Sequence, residues 1–353
     1  MSQKRRKTIL STRRTYIIAT AIIIALAMMF VFIHWIWQGG EKRGEEISSV
    51  ISGQEETHYR HPLTGVWTEI SVSSLPQVFG VMIDEHVDAQ PLSGIDQAFL
   101  VIEALTEAGI PRLLAFFSEE QEVEKIGPVR SARPYFVDFV QAWDGVYAHV
   151  GGSPEALAQI VSQDVRDLNQ YWYGSFFWRA SSRYAPHNVY TSTELLRSFV
   201  EGEEDPVYET WTFKDSATDQ VSESAEIFLT FSSYPWANPS WRFDPTQDRY
   251  QRFLEGEPYP LESEATVFAD NVVILFTDVE VVDEIGRRHI RTTGEGEGYV
   301  LQDGQTIPII WKRPENKNIP RFYAEDGNEI FLNAGTTWIE VLPSAASVSF
   351  SAL

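Results

Sequence analysis

The longest apolar run of the chain spans residues 16–37 (YIIATAIIIALAMMFVFIHWIW) and contains no Asp, Glu, Lys or Arg. A helix needs about 20 apolar residues to cross the hydrocarbon core of a membrane. Six basic side chains and no acidic one precede this run, and basic flanks stay in the cytoplasm. The pattern therefore predicts a single-pass transmembrane helix over residues 16–37, with a cytoplasmic basic tail over 1–15 and the rest of the chain outside.

The end of this run indicates that it is retained rather than cleaved. The apolar region of a signal peptide is about 7 to 15 residues long and precedes a small-residue cleavage site. This run is longer and ends in Trp35, Ile36 and Trp37, and tryptophan at the end of a span anchors it at the membrane interface. We expect a signal-anchor in the plasma membrane, followed by a polar, Gly- and Ser-containing linker over residues 38–60.

The first half of the outer part alternates between strand and helix patterns. Ser153 and Pro154 are suited to the N-cap and the first position of one of these helices. Strands that alternate with helices predict helices packed on a sheet, so we assign residues 61–200 to an α/β layered domain. Short apolar runs predict strands at 77–83, 112–117 and 146–150, and apolar residues at helical spacing predict helices at 95–108, 131–143 and 154–161.

The second half has a different pattern. Residues 201–225 are acidic and rich in turn-forming residues, and we interpret them as a connection between two domains. Beyond them we expect a β-rich antiparallel domain over residues 226–350, and therefore an α+β fold for the chain. Apolar runs of strand length lie at 227–231, 271–276, 289–291, 307–311, 321–323, 330–332 and 338–342, with the hairpin dipeptide Asp-Gly at 303–304 and 326–327.

The run Gly294-Glu295-Gly296-Glu297-Gly298 superficially resembles a phosphate-binding loop. Its glutamates repel phosphate and it lies among predicted strands. We therefore interpret it as the tip of a hairpin.

Charge and cysteine content limit the possible partners. The formal charge is −22, and it becomes −28 when the six basic residues before the apolar run are left out. This excludes binding to nucleic acid through net charge. The chain has no Cys, so it has neither disulfides nor a lipidated cysteine.

Two arginines precede the predicted helix at 131–143. Guanidinium groups beside a helix N-terminus bind carboxylates or phosphates, so Arg130 and Arg133 are candidates for an anion site. The alternative is structural pairing with acids such as Asp84, Glu103 or Asp138.

Histidines provide the other candidates. Asp84, His86 and Asp88 follow a predicted strand at a spacing of two, but three ligands in one loop without a fourth do not predict a metal centre, and we expect neither a metal nor another cofactor. His149 lies beside Ser153, where catalysis by a general base competes with a buried, hydrogen-bonded histidine. His187 and Asn188 follow Pro186 in a turn and are candidate ligand contacts.

Residues 171–179 (YWYGSFFWR) form a dense aromatic cluster. Exposed rings stack on sugars or bind protein partners. We favour the other interpretation, in which these rings pack in the core between the two domains.

The segment Ile126-Gly127-Pro128-Val129-Arg130-Ser131-Ala132-Arg133-Pro134-Tyr135-Phe136 resembles the signature of the YerB-like family of bacterial envelope proteins. The resemblance implies a membrane-tethered, two-domain extracytoplasmic protein whose biochemical role is not established. The chain departs from the family in its helical anchor, where members carry a lipidated Cys, in Glu85, where members tend to carry Asn, and in Gln90-Pro91-Leu92, where they tend to carry Arg-Pro-Gln. Further similar blocks lie in the same order at 81–84, 147–153, 186–190, 294–299 and 332–338, so that the resemblance covers about residues 60 to 345.

No nucleophile–base–orienter set is assembled by spacing alone. The sequence therefore predicts a membrane-anchored extracytoplasmic module that binds a cell-envelope ligand or a protein partner, with Arg130, Arg133, Asp84, His149, His187, Asn188 and Glu103 as candidate binding residues. One alternative is an enzyme acting on cell-wall material, with Asp84, Glu103 and His149 as acid–base groups. The other is a scaffold for membrane proteins.

Overall fold

A computed structural model describes residues 26–30, 33–34, 58–69, 74–216 and 225–352 of the chain. Residues 26–30 and 33–34 are helical, and the rest of the predicted membrane span at 16–37 lies outside the described residues, as do the tail at 1–15 and the linker up to residue 57. None of the helices in these described ranges has both the length and the apolar character that crossing a membrane requires. Contacts divide the chain after Thr57, and the fold described below is that of the part beginning at His58.

The part from His58 onward is mostly β-structure with few helices. Among the described residues of this part, the α-helices are α1 (Pro134–Gln141), α2 (Pro154–Ser162) and α3 (Thr193–Phe199). Its strands are β1 (Tyr59–Arg60), β2 (Trp67–Thr68), β3 (Val78–Asp84), β4 (Leu100–Leu105), β5 (Pro111–Ser118), β6 (Val146–His149), β7 (Asp167–Asn169), β8 (Trp178–Arg179), β9 (Val189–Tyr190), β10 (Phe213–Lys214), β11 (Ala225–Leu229), β12 (Pro239–Asp244), β13 (Arg249–Leu254), β14 (Glu257–Pro258), β15 (Phe268–Ala269), β16 (Asn271–Phe276), β17 (Val279–Val281), β18 (Arg288–Ile290), β19 (Gly294–Gln302), β20 (Gln305–Arg313), β21 (Arg321–Tyr323), β22 (Leu332–Asn333), β23 (Thr337–Leu342) and β24 (Val348–Ala352).

A ten-stranded sheet combines both halves of the chain. Its strand order is β21-β20-β19-β16-β23-β4-β5-β3-β6-β7, so β23 of the second half pairs in parallel with β4 of the first. A six-stranded sheet of the second half runs β14-β13-β12-β11-β24, with β15 also paired to β13. The two halves thus share main-chain hydrogen bonds rather than only a surface contact.

The ten-stranded sheet has a hydrophobic core on each face. Phe79 and Val81 of β3 pack in one core with Trp241 and Tyr250 of the six-stranded sheet. Their neighbours on β3 point the other way, since successive side chains of a strand alternate between faces. Those neighbours, such as Met82, pack in a second core with α1. The sheet therefore lies between the second sheet and the helices, and the expected packing of helices on a sheet holds for one face.

Three neighbouring strands place polar residues at one edge. Strands β3, β6 and β7 run parallel to one another, with Phe79 opposite Val146 and Tyr147 opposite Asp167. Their carboxyl ends therefore meet at the same edge of the sheet, where ligands bind in many open sheets of this kind. Asp84 ends the first of these strands.

The helix predicted over residues 95–108 is wrong. Residues 95–97 and 107–109 are single 3₁₀ turns, and the centre of the segment is strand β4. All six residues of β4 are buried, because β23 and β5 flank it and both sheet faces are covered. A strand buried on both faces shows no alternation, so its apolar residues fit a helical spacing equally well.

The interpretation of Gly294–Gly298 as a hairpin tip is also wrong. These residues form the first part of β19, which pairs with β16 and β20. The hairpin turn lies at Asp303-Gly304, as predicted, and both residues have positive φ angles of 53° and 68°. Of the strand predicted at 330–332, only residue 332 belongs to a strand. The strands predicted at 77–83, 112–117, 146–150, 271–276 and 338–342 and the helices at 131–143 and 154–161 are confirmed within one to three residues at each end.

Candidate functional site

Asp84, Arg130 and His187 come together at the carboxyl end of β3. The Oδ2 atom of Asp84 lies 2.7 Å from Nδ1 of His187 and 3.1 Å from Nε of Arg130. An ionised carboxylate only accepts hydrogen bonds, so Nδ1 of His187 carries the proton and Nε2 faces away from Asp84. Asp84 is almost fully buried, whereas Arg130 is about one quarter exposed. The cluster thus presents an arginine and a histidine at the surface, both held by one buried acid.

The loop that carries Arg130 is fixed to the end of β3 by its backbone. The amide of Asp84 donates to the carbonyl of Pro128 at 2.9 Å, and the amide of Arg130 donates to the carbonyl of Met82 at 2.7 Å. Gly127 has a φ of 146°, and a Cβ there lies only 2.9 Å from Tyr190 and from the carbonyl of Val189. The Gly-Pro-Val-Arg motif therefore serves to bring Arg130 against Asp84.

Aromatic rings surround the exposed side of this cluster. His86 stacks on His187 with 5.2 Å between ring centroids, and Trp236 packs edge-on against His86 at 5.5 Å. Tyr234 in turn stacks on Trp236. Because Tyr234 and Trp236 belong to the second half of the chain, the site is built by both halves.

Arg183, which the sequence did not single out, joins two loops of the site. Its Nη1 donates to the carbonyl of Ala89 at 2.7 Å and also reaches the carbonyls of Asp88 and Gln90, while its Nη2 donates to Pro91 at 2.7 Å. The loop after β3 is thereby tied to the loop that carries His187.

Asn188 positions this second loop rather than facing a ligand. Its Oδ1 accepts from Arg179 at 2.8 Å, and its side-chain amide donates to the carbonyls of Ala180 and Arg183. Asn188 is buried. We therefore interpret it as a positioning residue for His187.

Arg133 is paired elsewhere. Its Nε and Nη2 each lie 2.6 Å from a carboxylate oxygen of Glu107, a bidentate ion pair. Burial by itself raises the pKa of Glu107, but the hydrogen bonds and charge of Arg133 outweigh burial and leave that pKa lowered. The structure therefore separates Arg130 and Arg133 into two ion pairs instead of one anion site.

His149 is also apart from the Asp84 cluster. It is fully buried, with Nδ1 2.6 Å from the carbonyl of Gly151 and Nε2 2.8 Å from Asp167. Ser153 caps helix α2, since its Oγ accepts from the amide of Ala156 at 3.2 Å. His149 and Ser153 therefore have separate structural partners.

Glu103 belongs to a buried charge cluster between the two sheets. Arg252 of β13 has no exposed side-chain surface and lies 2.6 Å from Glu103, 3.0 Å from Glu340 and 3.3 Å from Glu85. Glu103 and Glu340 are directly opposite each other on the paired strands β4 and β23. Tyr259 donates to Glu85 at 2.9 Å. One guanidinium thus faces three carboxylates.

The excess of carboxylates over guanidinium groups changes the pKa values within the cluster. Burial raises the pKa of Glu85 and, more strongly, that of Glu103, and Arg252 offsets only part of the effect. Burial lowers the pKa of Arg252, but the three carboxylates, Glu103 first, outweigh this and leave it raised. The arginine is therefore charged, and the raised pKa values of Glu85 and Glu103 favour protons on these two carboxyl groups.

The sequence contains a signal for this buried charge cluster. Each of two fully buried strand segments, LVIEAL at 100–105 and TWIEVL at 337–342, contains a single glutamate. A charge inside such a run requires a buried partner. The sequence does not say that the partner is Arg252, because that residue comes from a different sheet.

The aromatic cluster at 171–179 is divided between core and surface. Phe177 is buried, but Tyr171 and Trp172 are 68 % and 78 % exposed. The expectation that the whole cluster packs in the core is therefore wrong for these two rings. They follow strand β7 at the same sheet edge as Asp84 and remain available for contact.

A separate cleft of about 420 Å³ lies beside helices α1 and α2. Asp138, Glu155, Arg288 and His289 are among the residues that line it. None of the predicted binding residues lines this cleft within the described part of the chain.

Comparison with known proteins identifies two domains. The N-terminal domain of a protein of unknown function (DUF3048) matches residues 63–205, and the C-terminal domain of the same description matches residues 229–339.

A relative and a solved structure extend this match. The chain is 32 % identical over 300 residues to the Bacillus subtilis (strain 168) protein named "Putative lipoprotein YerB", and the match covers 82 % of this chain and 88 % of the relative. A crystal structure of the YerB protein from Bacillus subtilis is similar with a TM-score of 0.73 and 31 % identity, covering 83 % of this chain and 99 % of that chain. The chain therefore belongs to the YerB-like family of two-domain proteins of unknown function.

Proposed function

We propose that this protein is an extracytoplasmic binding module of the bacterial cell envelope, with its binding surface at Asp84, Arg130, His187 and the adjoining aromatic rings. Its ligand is an envelope molecule or a protein that offers a carboxylate or phosphate to Arg130. The observation that carries the proposal is the convergence of Arg130 and His187, from two separate loops, on one buried acid at the carboxyl edge of a parallel strand group.

The charge distribution supports Arg130 as the anion contact. Among the described residues, Asp84 is the one carboxylate that contacts its guanidinium, and it does so through Nε. The terminal nitrogens of a guanidinium group can bind a carboxylate or phosphate in a bidentate manner. In a protein this acidic, a locally basic point gives an anionic ligand one favoured place to bind.

The exposed rings support a ligand larger than a single ion. Four aromatic side chains near the cluster are exposed: Tyr171, Trp172, Tyr184 and Tyr234. Each of them lies in a loop next to the cluster or in a loop that contacts such a neighbouring loop. Exposed aromatic rings contribute contact area for sugars and for protein partners.

The apolar run at 16–37 is proposed as the anchor that holds the module at the outer face of the plasma membrane. The similarity to a protein named as a lipoprotein supports a membrane-associated, extracytoplasmic location. Protease added to intact cells should degrade the part after residue 57 and leave a short membrane-bound fragment. Protection of that part in intact cells contradicts the proposed location.

Binding is tested with residues 58–353, incubated separately with purified cell wall and with membrane extract. Arg130→Ala should reduce capture of the envelope material at least about tenfold, since loss of a charge-assisted pair costs about 1.5–3 kcal/mol. Arg133→Ala is the matched control, because this arginine is occupied by Glu107. Equal capture by the wild type and by Arg130→Ala rejects Arg130 as the contact.

The enzyme alternative receives less support. Asp84, Glu103 and His149 contact His187, Arg252 and Asp167 respectively, so the three do not form one hydrogen-bonded set. Two of them are fully buried. We therefore propose binding rather than acid–base catalysis by these residues.

A further inference from the structure

We propose that His86, Asp88 and His187 bind a divalent transition-metal ion, with zinc as the ion that best matches the donors. The three residues use part of the surface described above, but the proposal does not depend on capture of an envelope ligand, because it is tested with the ion alone.

The donor atoms are close together. One ligand atom from each residue lies within 4.8 Å of the other two. Two imidazole nitrogens and one carboxylate oxygen form a donor set typical of zinc, whereas magnesium and calcium prefer oxygen ligands. Bonds of about 2.1 Å separate tetrahedral ligands by about 3.4 Å, so binding requires the donors to close by little more than an ångström.

The side chains have the freedom to make this adjustment. The Asp88 side chain is 70 % exposed and already lies 3.5 Å from Nδ1 of His86. The ring of His86 has to turn out of its stack on His187, because the lone pairs of imidazole nitrogens lie in the ring plane. Binding through Nδ1 also requires this atom to release the backbone amide of Asp88, which donates to it at 3.1 Å. His86 is partly exposed and contacts solvent on one side, so this rotation opens no core.

The contact of His187 with Asp84 is of the kind that metal-binding histidines make with their second nitrogen. Nδ1 of His187 is bonded to the buried carboxylate of Asp84 at 2.7 Å, which leaves Nε2 with the free lone pair. Histidines that bind metals usually donate their other nitrogen to a carboxylate, which fixes the ring and increases its basicity. Asp84 is itself held by Arg130. This carboxylate–histidine arrangement is an observation independent of the three-donor cluster.

The two loops that supply the donors are held together without the ion. Arg183, on the His187 loop, donates to four consecutive carbonyls from Asp88 to Pro91 on the other loop. Asp88 is the first residue of the clamped stretch, and His86 lies two residues before it. The site is therefore preorganised, although His187 is 103 residues from Asp84 in sequence.

Three protein ligands leave a tetrahedral ion with one open position. Zinc sites of this composition hold water or an exchangeable ligand there. The ion also adds positive charge next to Arg130. The proposed metal would therefore strengthen the binding of an oxygen-donor anionic group at this surface.

The test is calorimetric titration of the full-length chain in non-ionic detergent, treated with chelator and then with ZnCl₂, MgCl₂ or CaCl₂. Zinc should bind with one ion per chain and more tightly than magnesium or calcium. His187→Ala and His86→Ala should each weaken zinc at least about tenfold, and Asp84→Asn should weaken it by about 10- to 100-fold through loss of the orienting carboxylate.

His289→Ala is the matched control, since His289 is exposed on β18 and outside this cluster. It should bind zinc as the wild type does. Circular dichroism of each variant confirms that a loss of binding is not a loss of fold. Zinc affinity that is unchanged in His187→Ala, or reduced equally in His289→Ala, overturns the proposal.

The two proposals fail in different ways. A chain that captures envelope material in the presence of chelator and does not bind zinc overturns the metal site and retains the binding function. A chain that binds one zinc ion but captures no envelope material supports the metal site and overturns the proposed function.

Discussion

Arg252 shows how one residue can connect the two halves of the molecule. It extends from β13 to carboxylates that follow β3 and lie on β4 and β23, and the indole of Trp338 packs against its guanidinium at 4.5 Å. Removing a charge from such a cluster is costly because the remaining charges stay buried without a partner. The residues that set this balance are therefore the ones to substitute first.

Arg252→Leu should lower the free energy of unfolding of residues 58–353 by about 3–5 kcal/mol, the usual cost of leaving buried charge uncompensated. Urea denaturation followed by circular dichroism measures the change. Lys312→Leu is the control, because the Lys312–Glu295 pair is exposed and should contribute less than about 1 kcal/mol. Similar losses for the two variants contradict a special role for the buried arginine.

Glu85→Gln should reduce the pH dependence of stability. The folded-state pKa of Glu85 is raised above its ordinary value of 4.5, so the folded chain binds more protons than the unfolded chain between these two values. Wild-type stability that depends on Glu85 is therefore complete below about pH 4.5 and is lost as the pH rises through the folded pKa, at up to about 1.4 kcal/mol per pH unit.

Glutamine does not titrate, so the stability of Glu85→Gln relative to wild type should increase from pH 5 to pH 8. Thermal unfolding at four pH values in this range provides the measurement. Glu257→Gln, at an exposed position of β14, should follow the wild type. If the stability of Glu85→Gln and that of the wild type change in parallel with pH, the raised pKa assigned to the Glu85 carboxyl is rejected.

At the scale of elements, the packing around β19 explains why every second residue in the first part of this strand is glycine. Gly294, Gly296 and Gly298 share one face of this strand, and Trp311 of β20 lies opposite Gly296. A Cβ on Gly296 comes within 2.7 Å of the Trp311 indole, whose Nε1 donates to Phe276 at 3.0 Å. The glycines therefore make room for a buried tryptophan and for the backbone of β16.

Gly298→Ala should destabilise the protein by about 1–3 kcal/mol, the usual cost of overpacking. A Cβ there lies 2.1 Å from the carbonyl oxygen of Ile274, and a backbone atom of a central strand has little room to move. Chemical denaturation of residues 58–353 gives the value. Glu297→Ala, the exposed neighbour, should change stability by less than about 0.5 kcal/mol, and a neutral Gly298→Ala is incompatible with this packing.

At the scale of the whole molecule, the two halves of the part from His58 onward are more tightly integrated than two domains joined by a linker. Strand β23 of the second half is hydrogen-bonded between β16 and β4, and Trp236 of the second half completes the surface around His86. The connection predicted at 201–225 is described up to residue 216, and this part contributes buried Tyr208 and Trp211. Separation of the two halves would expose a strand edge and the Arg252 cluster to solvent.

The two halves should therefore unfold in one transition. Differential scanning calorimetry of residues 58–353 should give equal calorimetric and van't Hoff enthalpies, the mark of a two-state process. Residues 58–216 alone should show no cooperative unfolding, since β4 then becomes an unpaired edge. Two resolved transitions, or a fragment that melts cooperatively, argue for independent domains.

Local features of this protein were determined by the sequence alone. Ser153 and Pro154 begin a helix because their backbone and side-chain geometry suits its first turn, and Asp303-Gly304 forms a hairpin because both residues tolerate positive φ. These effects act over a few neighbouring residues, so they can be read from the sequence. The family could also be recognised from the sequence, since the motifs of the family are short and contiguous.

The tertiary structure decided which distant residues meet. Residues 100–105 are a strand because β23 and β5 cover both edges, and a buried strand has no periodicity that distinguishes it from a helix. His187 joins Asp84 and His86, and Arg252 joins Glu103 and Glu340, through contacts across many residues and two sheets. Such pairings depend on how strands are ordered and faces are packed, and no local preference of the chain encodes that order.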